Sequence, residues 1–271
     1  MLVKFRTSER YPELRIGKYA KRVFWDNLWT DELEHYRGIV LDEQDNIVSY
    51  PFTKIYNYGI EARSPKFLDH ELVFVHRKVN GFMAAVTWYK DDILVSTTGS
   101  LDSLYVQYIY DLLDVEKARK VCSSYPDYTF MFECVHPSDP HIIPEVTGLY
   151  YLGCRKKELG SPIEFFEVDF GCFYPDYFLT DMAEVKEIVK TCKHEGFVIY
   201  HPDGRATKIK SPYYLMKKFL ARSSTKRLLE GKHRIAEEYY PIYDKVQENL
   251  EYFTSLSEQE RLEWIRNAIY S

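Results

Sequence analysis

Val73-Phe74-Val75-His76-Arg77-Lys78-Val79-Asn80-Gly81-Phe82, residues 73–82, reads as an apolar strand that delivers a lysine. The Asn80-Gly81 pair that follows permits a tight turn with positive φ. Apolar runs of strand length recur on both sides: Leu72–Val75, Ala84–Trp88, Ile93–Ser96, Tyr128–Val135, Ile163–Val168 and Phe197–Tyr200, each bounded by polar or turn residues. Gly196–Lys210 reads as a hairpin whose turn is Pro202-Asp203-Gly204.

Two helices interrupt this β-rich region. One follows Ser100, with Leu101, Leu104, Tyr105, Tyr108 and Leu112 on a shared face. The other carries Met182, Val185, Ile188 and Val189, with Asp181 as N-cap and Glu184 completing a capping-box pattern. After Tyr213 the character turns helical, with Leu215, Phe219, Leu228 and Leu229 among basic residues. Ser257 and Glu260 cap a last helix in which Leu262, Trp264, Ile265 and Ile269 face inward. The fold class expected is α+β: antiparallel sheets with flanking helices over residues 1–222, then a small helical C-terminal region over 223–271.

The whole chain has 271 residues, 45% hydrophobic and 28% charged, which excludes a disordered chain. No run approaches the roughly 18 apolar residues that a membrane span needs. The N-terminus lacks a signal-peptide pattern, so a cytoplasmic protein (host cytoplasm, if phage-encoded) with no membrane association is expected. Five cysteines without a C-x-x-C pair read as reduced thiols, neither a zinc site nor a disulfide framework. The net charge of −5 hides an asymmetry: Arg205–Arg234 holds ten Lys/Arg and one acid, Glu230. Such a window is a solvated helix face or a phosphate-binding surface.

An isolated Lys-x-x-Gly says little. What gives Lys78 weight is the ordered set around it. Upstream stand Arg37-Gly38-Ile39-Val40 and Pro51-Phe52-Thr53-Lys54. Downstream come Ser96-Thr97-Thr98-Gly99-Ser100, Phe130-Met131-Phe132-Glu133, Glu195-Gly196-Phe197-Val198 and Lys208-Ile209-Lys210. In this order and strand context, residues 37–214 resemble the lysine-nucleotidyltransferase superfamily. Within it they resemble the ATP-dependent RNA ligases of the bacteriophage RNA-repair and fungal tRNA-ligase type.

That resemblance implies a nucleotidyltransferase domain over 1–222 and sealing of RNA 5′-phosphate and 3′-hydroxyl ends through a lysyl-AMP. Lys78 would be the nucleophile, which must attack as the neutral amine, a form that desolvation and nearby cations favour. Glu195 and Glu133 would hold Mg²⁺ (or Mn²⁺), and Glu133 would also serve the ribose. Lys208 and Lys210, two apart on a strand and so on one face, would neutralise the phosphates. Arg37 and Lys54 would grip the β- and γ-phosphates of ATP. Tyr150 or Tyr151, on opposite faces by alternation, would stack on the base, with Val198 as the other wall. Tyr213 and Tyr214 would reach the RNA end or AMP. The resemblance further implies an RNA partner such as a nicked tRNA; a monomer is expected.

Two positions depart from the family pattern. Asn80 stands where an Asp is usual, keeping hydrogen bonding but losing charge. Thr98 stands where a lysine is expected. The competing readings are a DNA ligase or guanylyltransferase of the same superfamily, disfavoured by a tail too short for an OB barrel, and a non-catalytic RNA-binding protein derived from a ligase.

Overall fold

A computed structural model describes residues 1–222, 237, 240–257, 260, 261, 263–265 and 267. In chain order the elements are β1 (Val3–Thr7), β2 (Arg15–Tyr19), α1 (Lys21–Trp25), α2 (Asp31–Glu34), β3 (Arg37–Leu41), β4 (Ile47–Ser49), β5 (Tyr56–Asn57), β6 (Leu72–Arg77), β7 (Phe82–Tyr89) and β8 (Asp92–Thr97). There follow α3 (Leu104–Tyr110), α4 (Val115–Ser124), β9 (Tyr128–Val135), β10 (Gly148–Lys156), β11 (Tyr177–Asp181), α5 (Met182–Thr191), β12 (Gly196–Tyr200), β13 (Ala206–Lys210) and α6 (Pro212–Arg222). The last two are α7 (Tyr240–Glu248) and α8 (Leu250–Ser255). This is the α+β class expected, with antiparallel sheets and flanking helices.

The chain forms two compact units. The first comprises Met1–Lys54 with Val79–Pro175; the second comprises Ile55–Lys78 with Asp176–Ser271. The boundary expected near residue 222 falls where the continuously described residues end. Leu228, Leu229 and the cations Lys226, Arg227, Lys232 and Arg234 of the basic window lie outside the described residues. Among the described residues no helix is long and apolar enough to cross a membrane.

The first unit holds two four-stranded sheets, in the orders β1-β2-β3-β4 and β10-β9-β7-β8. Its main core is a run of buried side chains from β7, β8, β9 and β10, among them Val86, Val95, Phe130, Phe132 and Cys154, against α3 and α4. The helix after Ser100 is present as α3, but its inward face is not the expected one. Leu104 and Tyr105 are exposed, while Val106, Ile109 and Leu113 are buried. Val106 and Ile109, three residues apart, form the inward stripe of α3, and Leu113 adds to it just beyond the helix end. The run Ile163–Val168, expected as a strand, is irregular. Only Glu164 pairs with β10, exchanging two backbone hydrogen bonds with Cys154. Beside that bridge β10 shifts register between Tyr151 and Gly153, and Gly153 takes φ +120°, so the edge bends and the ladder cannot extend.

The second unit is built on one five-stranded sheet, order β11-β6-β12-β13-β5. Alternation sorts its residues cleanly. Val73, Val75, Phe197, Ile199 and Ile209 face α5 and close over Met182, Val185 and Val189. Each of those three helix side chains is fully buried, contributing roughly 1.5–3 kcal/mol. Asp181 caps α5 by accepting from the Glu184 N–H at 2.9 Å. The β12–β13 hairpin forms as expected, with Gly204 at φ +92° in the turn. Near the C-terminus, Ser257 and Glu260 make the anticipated reciprocal cap, and Ile265 is buried while Trp264 packs edge-on to Phe253. Leu262 and Ile269 lie outside the described residues.

On the other face of that sheet, His76 packs against the rings of Tyr177 and Tyr200, at 5.6 and 5.3 Å. Burial pushes its imidazole down from 6.5 to about 4. The folded state therefore holds His76 neutral, and its stability is complete above about pH 6.5 and is lost as pH falls toward 4. Urea unfolding of His76→Phe should lose up to about 3 kcal/mol less than wild type between those two pH values. Parallel losses in the two proteins would refute the assignment.

Candidate active site

In the second unit, the ladder between β6 and β12 continues one residue beyond Arg77: the Lys78 N–H donates to the Gly196 carbonyl at 2.8 Å. This places the Lys78 side chain beside Glu195, where Nζ donates to Oε2 at 3.0 Å. From β13 the Lys210 Nζ comes within 3.3 Å of the other oxygen, Oε1. Glu195 is only 3% exposed, so one buried carboxylate serves two ammonium groups. Burial alone would push its carboxyl up, but Lys78 and Lys210 outweigh that and hold it below the ordinary carboxylate range.

The backbone makes this possible at Gly196. Its φ is +133°, and a Cβ there would lie 2.1 Å from the Ile209 carbonyl oxygen. Only glycine permits the two strands to close directly beside Glu195. Ser211 secures the other end: its N–H donates to the Glu195 carbonyl at 2.9 Å, and its hydroxyl accepts from the Tyr214 N–H at 3.1 Å, starting α6. Ser211 was not singled out from the sequence, although Ser211-Pro212 carries the signature of an N-cap followed by proline at the first helical position.

Lys208 and Lys210 share a face of β13, opposite buried Thr207 and Ile209. Across the ladder Val198 pairs with both Lys208 and His76, so Val198 belongs to that same face. Tyr214 is buried, with the amines of Lys210 and Lys218 lying 5.1 and 5.4 Å from its ring centroid. It supports the lysine; it does not project from the surface as expected for an RNA or AMP contact. The cation beside Lys78 in sequence, Arg77, acts instead on His194 and Cys192, whose titration feels its charge. The Lys78 amine faces the Glu195 carboxylate, and the cation that shares this carboxylate is Lys210.

The remaining candidates belong to the first unit. Glu133 accepts from the Gly81 N–H at 3.0 Å. Gly81 is absent from the positive-φ residues, so the positive φ that Asn80-Gly81 permits is not used. It is glycine because of space: a Cβ there would sit 2.3 Å from the Cys134 carbonyl oxygen. Asn80 is buried and accepts from the Ile143 N–H at 3.1 Å, so its amide fastens the segment between β9 and β10. A neutral acceptor suffices for that bond.

Alternation separates the two tyrosines. Tyr150 pairs directly with Glu133, so it shares that residue's face; its hydroxyl donates to the Val146 carbonyl at 3.0 Å and its ring lies 5.2 Å from that of Phe173. Tyr151 turns into the core against Phe132 and Phe170, which corrects its candidacy as a base-stacking ring. Arg37 opens β3 beside Gly38, which takes φ +100° at a register shift. Lys54 is buried, its amine 4.8 Å from the Trp29 ring centroid and 5.7 Å from that of Phe24.

Among the described residues no group of three His, Cys, Asp or Glu side chains could hold a metal ion. Mg²⁺ ordinarily takes one or two carboxylates and fills its sphere with water and phosphate oxygens, so the candidates are single carboxylates. As folded, both Glu195 oxygens are engaged by lysines.

A family model described as RNA ligase matches residues 35–219. No curated protein matches the chain in sequence. Solved structures that share its fold include an archaeal ATP-dependent RNA ligase described in two forms. One is 16% identical at a TM-score of 0.62, covering 97% of this chain and 71% of that one; the other is 16% identical at 0.59, covering 100% and 74%. A candidate ATP-dependent DNA ligase from Aquifex aeolicus matches at 0.61 and 16% identity, covering 99% and 74%.

Replacing Glu195 by Gln leaves two buried ammonium groups facing a neutral amide. Chemical denaturation should show a loss of about 3 kcal/mol for Glu195→Gln at neutral pH, in the range found when one partner of a buried pair is removed. The difference from wild type should shrink in acid, because the wild-type carboxylate gives up its stabilising charge as pH falls through its depressed folded value.

Proposed function

This chain belongs to the RNA ligase family, and from that premise we propose that it seals RNA 5′-phosphate to 3′-hydroxyl ends with ATP, using Lys78 as nucleophile. The observation that carries the reading is the Lys78–Glu195–Lys210 array: an apolar strand ends in a lysine whose amine is held by a buried, ionised carboxylate shared with a second lysine.

In the first step the Lys78 amine attacks the α-phosphorus of ATP. An N–P bond forms, the bond to the bridging oxygen breaks, and pyrophosphate leaves. Attack requires the free amine, so Lys78 must first give up a proton to water; Glu195, kept ionised by its neighbours, is a weak base but a firm orienting group. By sharing that carboxylate, Lys210 weakens the hold that keeps Lys78 protonated. An oxygen of the RNA 5′-phosphate then attacks the same phosphorus and releases the lysine. Finally the 3′-hydroxyl attacks the RNA 5′-phosphorus and AMP departs.

Lys208 and Lys210, on one strand face, suit the neutralisation of phosphate charge in the first step. In the first unit Glu133 suits the ribose hydroxyls, Tyr150 the base, and Arg37 and Lys54 the outer phosphates; in the second unit Val198 suits an apolar contact. A divalent ion would offset charge on the phosphates; Glu195 in the second unit and Glu133 in the first are each a carboxylate suited to a divalent ion. Each Glu195 oxygen meets one lysine, and a carboxylate oxygen has a second lone pair left for a cation. A nicked tRNA as substrate, a monomeric enzyme and a cytoplasmic setting belong to the same proposal.

Incubation with Mg²⁺ and ATP labelled at the α-phosphate should leave denaturation-resistant label on wild type and at least about 100-fold less on Lys78→Ala. Label from GTP alone would turn the reading toward a guanylyltransferase. Well-folded protein that takes neither label would overturn the catalytic reading.

A further inference from the structure

We infer that Lys18, with Lys4 and Lys21, forms a phosphate-binding patch on the first unit, bordered by Arg37, that takes the sugar-phosphate backbone of an RNA strand. The inference rests on the RNA ligase reading. Lys4, Lys18 and Lys21 lie ahead of the matched region, while Arg37, assigned above to the outer phosphates of ATP, marks the edge of the patch.

The β2–β3 ladder sets Lys18 opposite Arg37, and the β1–β2 ladder sets Lys4 opposite Lys18. Three cations therefore stand at neighbouring positions across three adjacent strands, with Lys21 just beyond the end of β2. Like charges directly opposite one another destabilise a sheet. Nothing offsets them locally: among the described residues, none of these four side chains has an ion-pair partner. Partial desolvation of its amine lowers the pKa of Lys18, although the residue as a whole is exposed, and the charges of Arg37 and Lys21 lower it further, so this cluster is crowded as well as unneutralised.

Gly38 and Gly99 explain how the cluster is assembled. The register shift at Gly38 re-aims Arg37 at the start of β3. A Cβ on Gly38 would lie 2.9 Å from the Thr98 Cα, so the backbone closes against the Thr97–Ser100 turn. The Lys18 amine lies beside the next residue of that turn, 3.6 Å from where a Gly99 Cβ would be.

The shape favours a strand backbone over the triphosphate of a nucleotide. Lys4, Lys18 and Lys21 are exposed; Lys4 and Lys18 are one strand spacing apart, roughly 5 Å, and Lys21 lies three residues further along the chain, about 10 Å if extended. An open row of that length tracks successive phosphates of a flexible strand. A small ligand is ordinarily enclosed in a cleft.

The test uses the full chain and a short, fluorescent, 5′-phosphorylated single-stranded RNA, with anisotropy read between about 50 and 200 mM salt. For Lys18→Ala/Lys21→Ala the slope of log K against log salt should fall by about 1.4, two contacts at about 0.7 each, with affinity down roughly tenfold or more at the lowest salt. Lys18→Arg/Lys21→Arg should restore both. The melting temperature of the alanine variant should match or exceed that of wild type, since repulsion is relieved, which separates lost binding from lost folding. An unchanged slope overturns the inference. A raised KM for ATP in label uptake with RNA affinity intact also overturns it, assigning the patch to nucleotide phosphates. Wild type that is labelled by ATP yet binds no RNA overturns it too. Wild type that takes no label but binds RNA, with the loss in the variant, supports the patch while the lysine-adenylylation reading fails.

Discussion

A carboxylate taken out of water is costly unless its charge is matched, and Glu195 is matched twice. Its two oxygens reach Lys78 at the end of β6 and Lys210 at the end of β13, with Glu195 itself just ahead of β12. Three neighbouring strand ends are thereby tied to one point. A slip of one residue in either ladder would turn a lysine to the helix-packed face and leave the buried charge unmatched. Register in the second unit is thus specified from both sides of its sheet. Apolar contacts with α5 act on one face, and this ionic junction acts on the other.

Two glycines hold the geometry by taking up little room. Gly196 lets β12 begin against the Ile209 carbonyl, and Gly81 lets its own N–H reach Glu133 while passing the Cys134 carbonyl. In the first unit the polar side chains near Gly81 act mainly on the backbone. Glu133 accepts from an amide, Asn80 accepts from another, and the Tyr150 hydroxyl gives to a carbonyl. Bonds of this kind fix where the remaining atoms of those side chains point, which is what a binding surface requires of its frame.

Much of this was readable in the sequence because alternation and capping are local. The β12–β13 hairpin, the Asp181 cap and the shared face of Lys208 and Lys210 follow from period two and from short-range chemistry. What failed depended on neighbours far along the chain. Ile163–Val168 has strand composition, but the edge it meets is bent at Gly153. The α3 stripe was ambiguous because Leu104 and Tyr105 are as apolar as Val106 and Ile109; only the sheet decides between them. Asn-Gly suggested a turn because the Cys134 carbonyl that demands glycine is invisible from the local sequence. Tyr150 and Tyr151 could not be separated until their pairing with β9 was known.

The order in which the chain leaves the ribosome gives the division into units a further meaning. Each unit is assembled from two separated stretches, and β6 pairs with β11 and β12, which begin at Tyr177 and Gly196. Lys78 and Glu195 are 117 residues apart. At about 5–20 residues per second, roughly 6–23 s pass between synthesis of the nucleophile and synthesis of the carboxylate that holds it. Until residue 177 is made, most of that interval, a nascent strand carrying Val73 and Val75 has neither its strand partners nor α5 to cover it. Slowed elongation between residues 78 and 195 should therefore burden chaperones more than the same delay placed after residue 210.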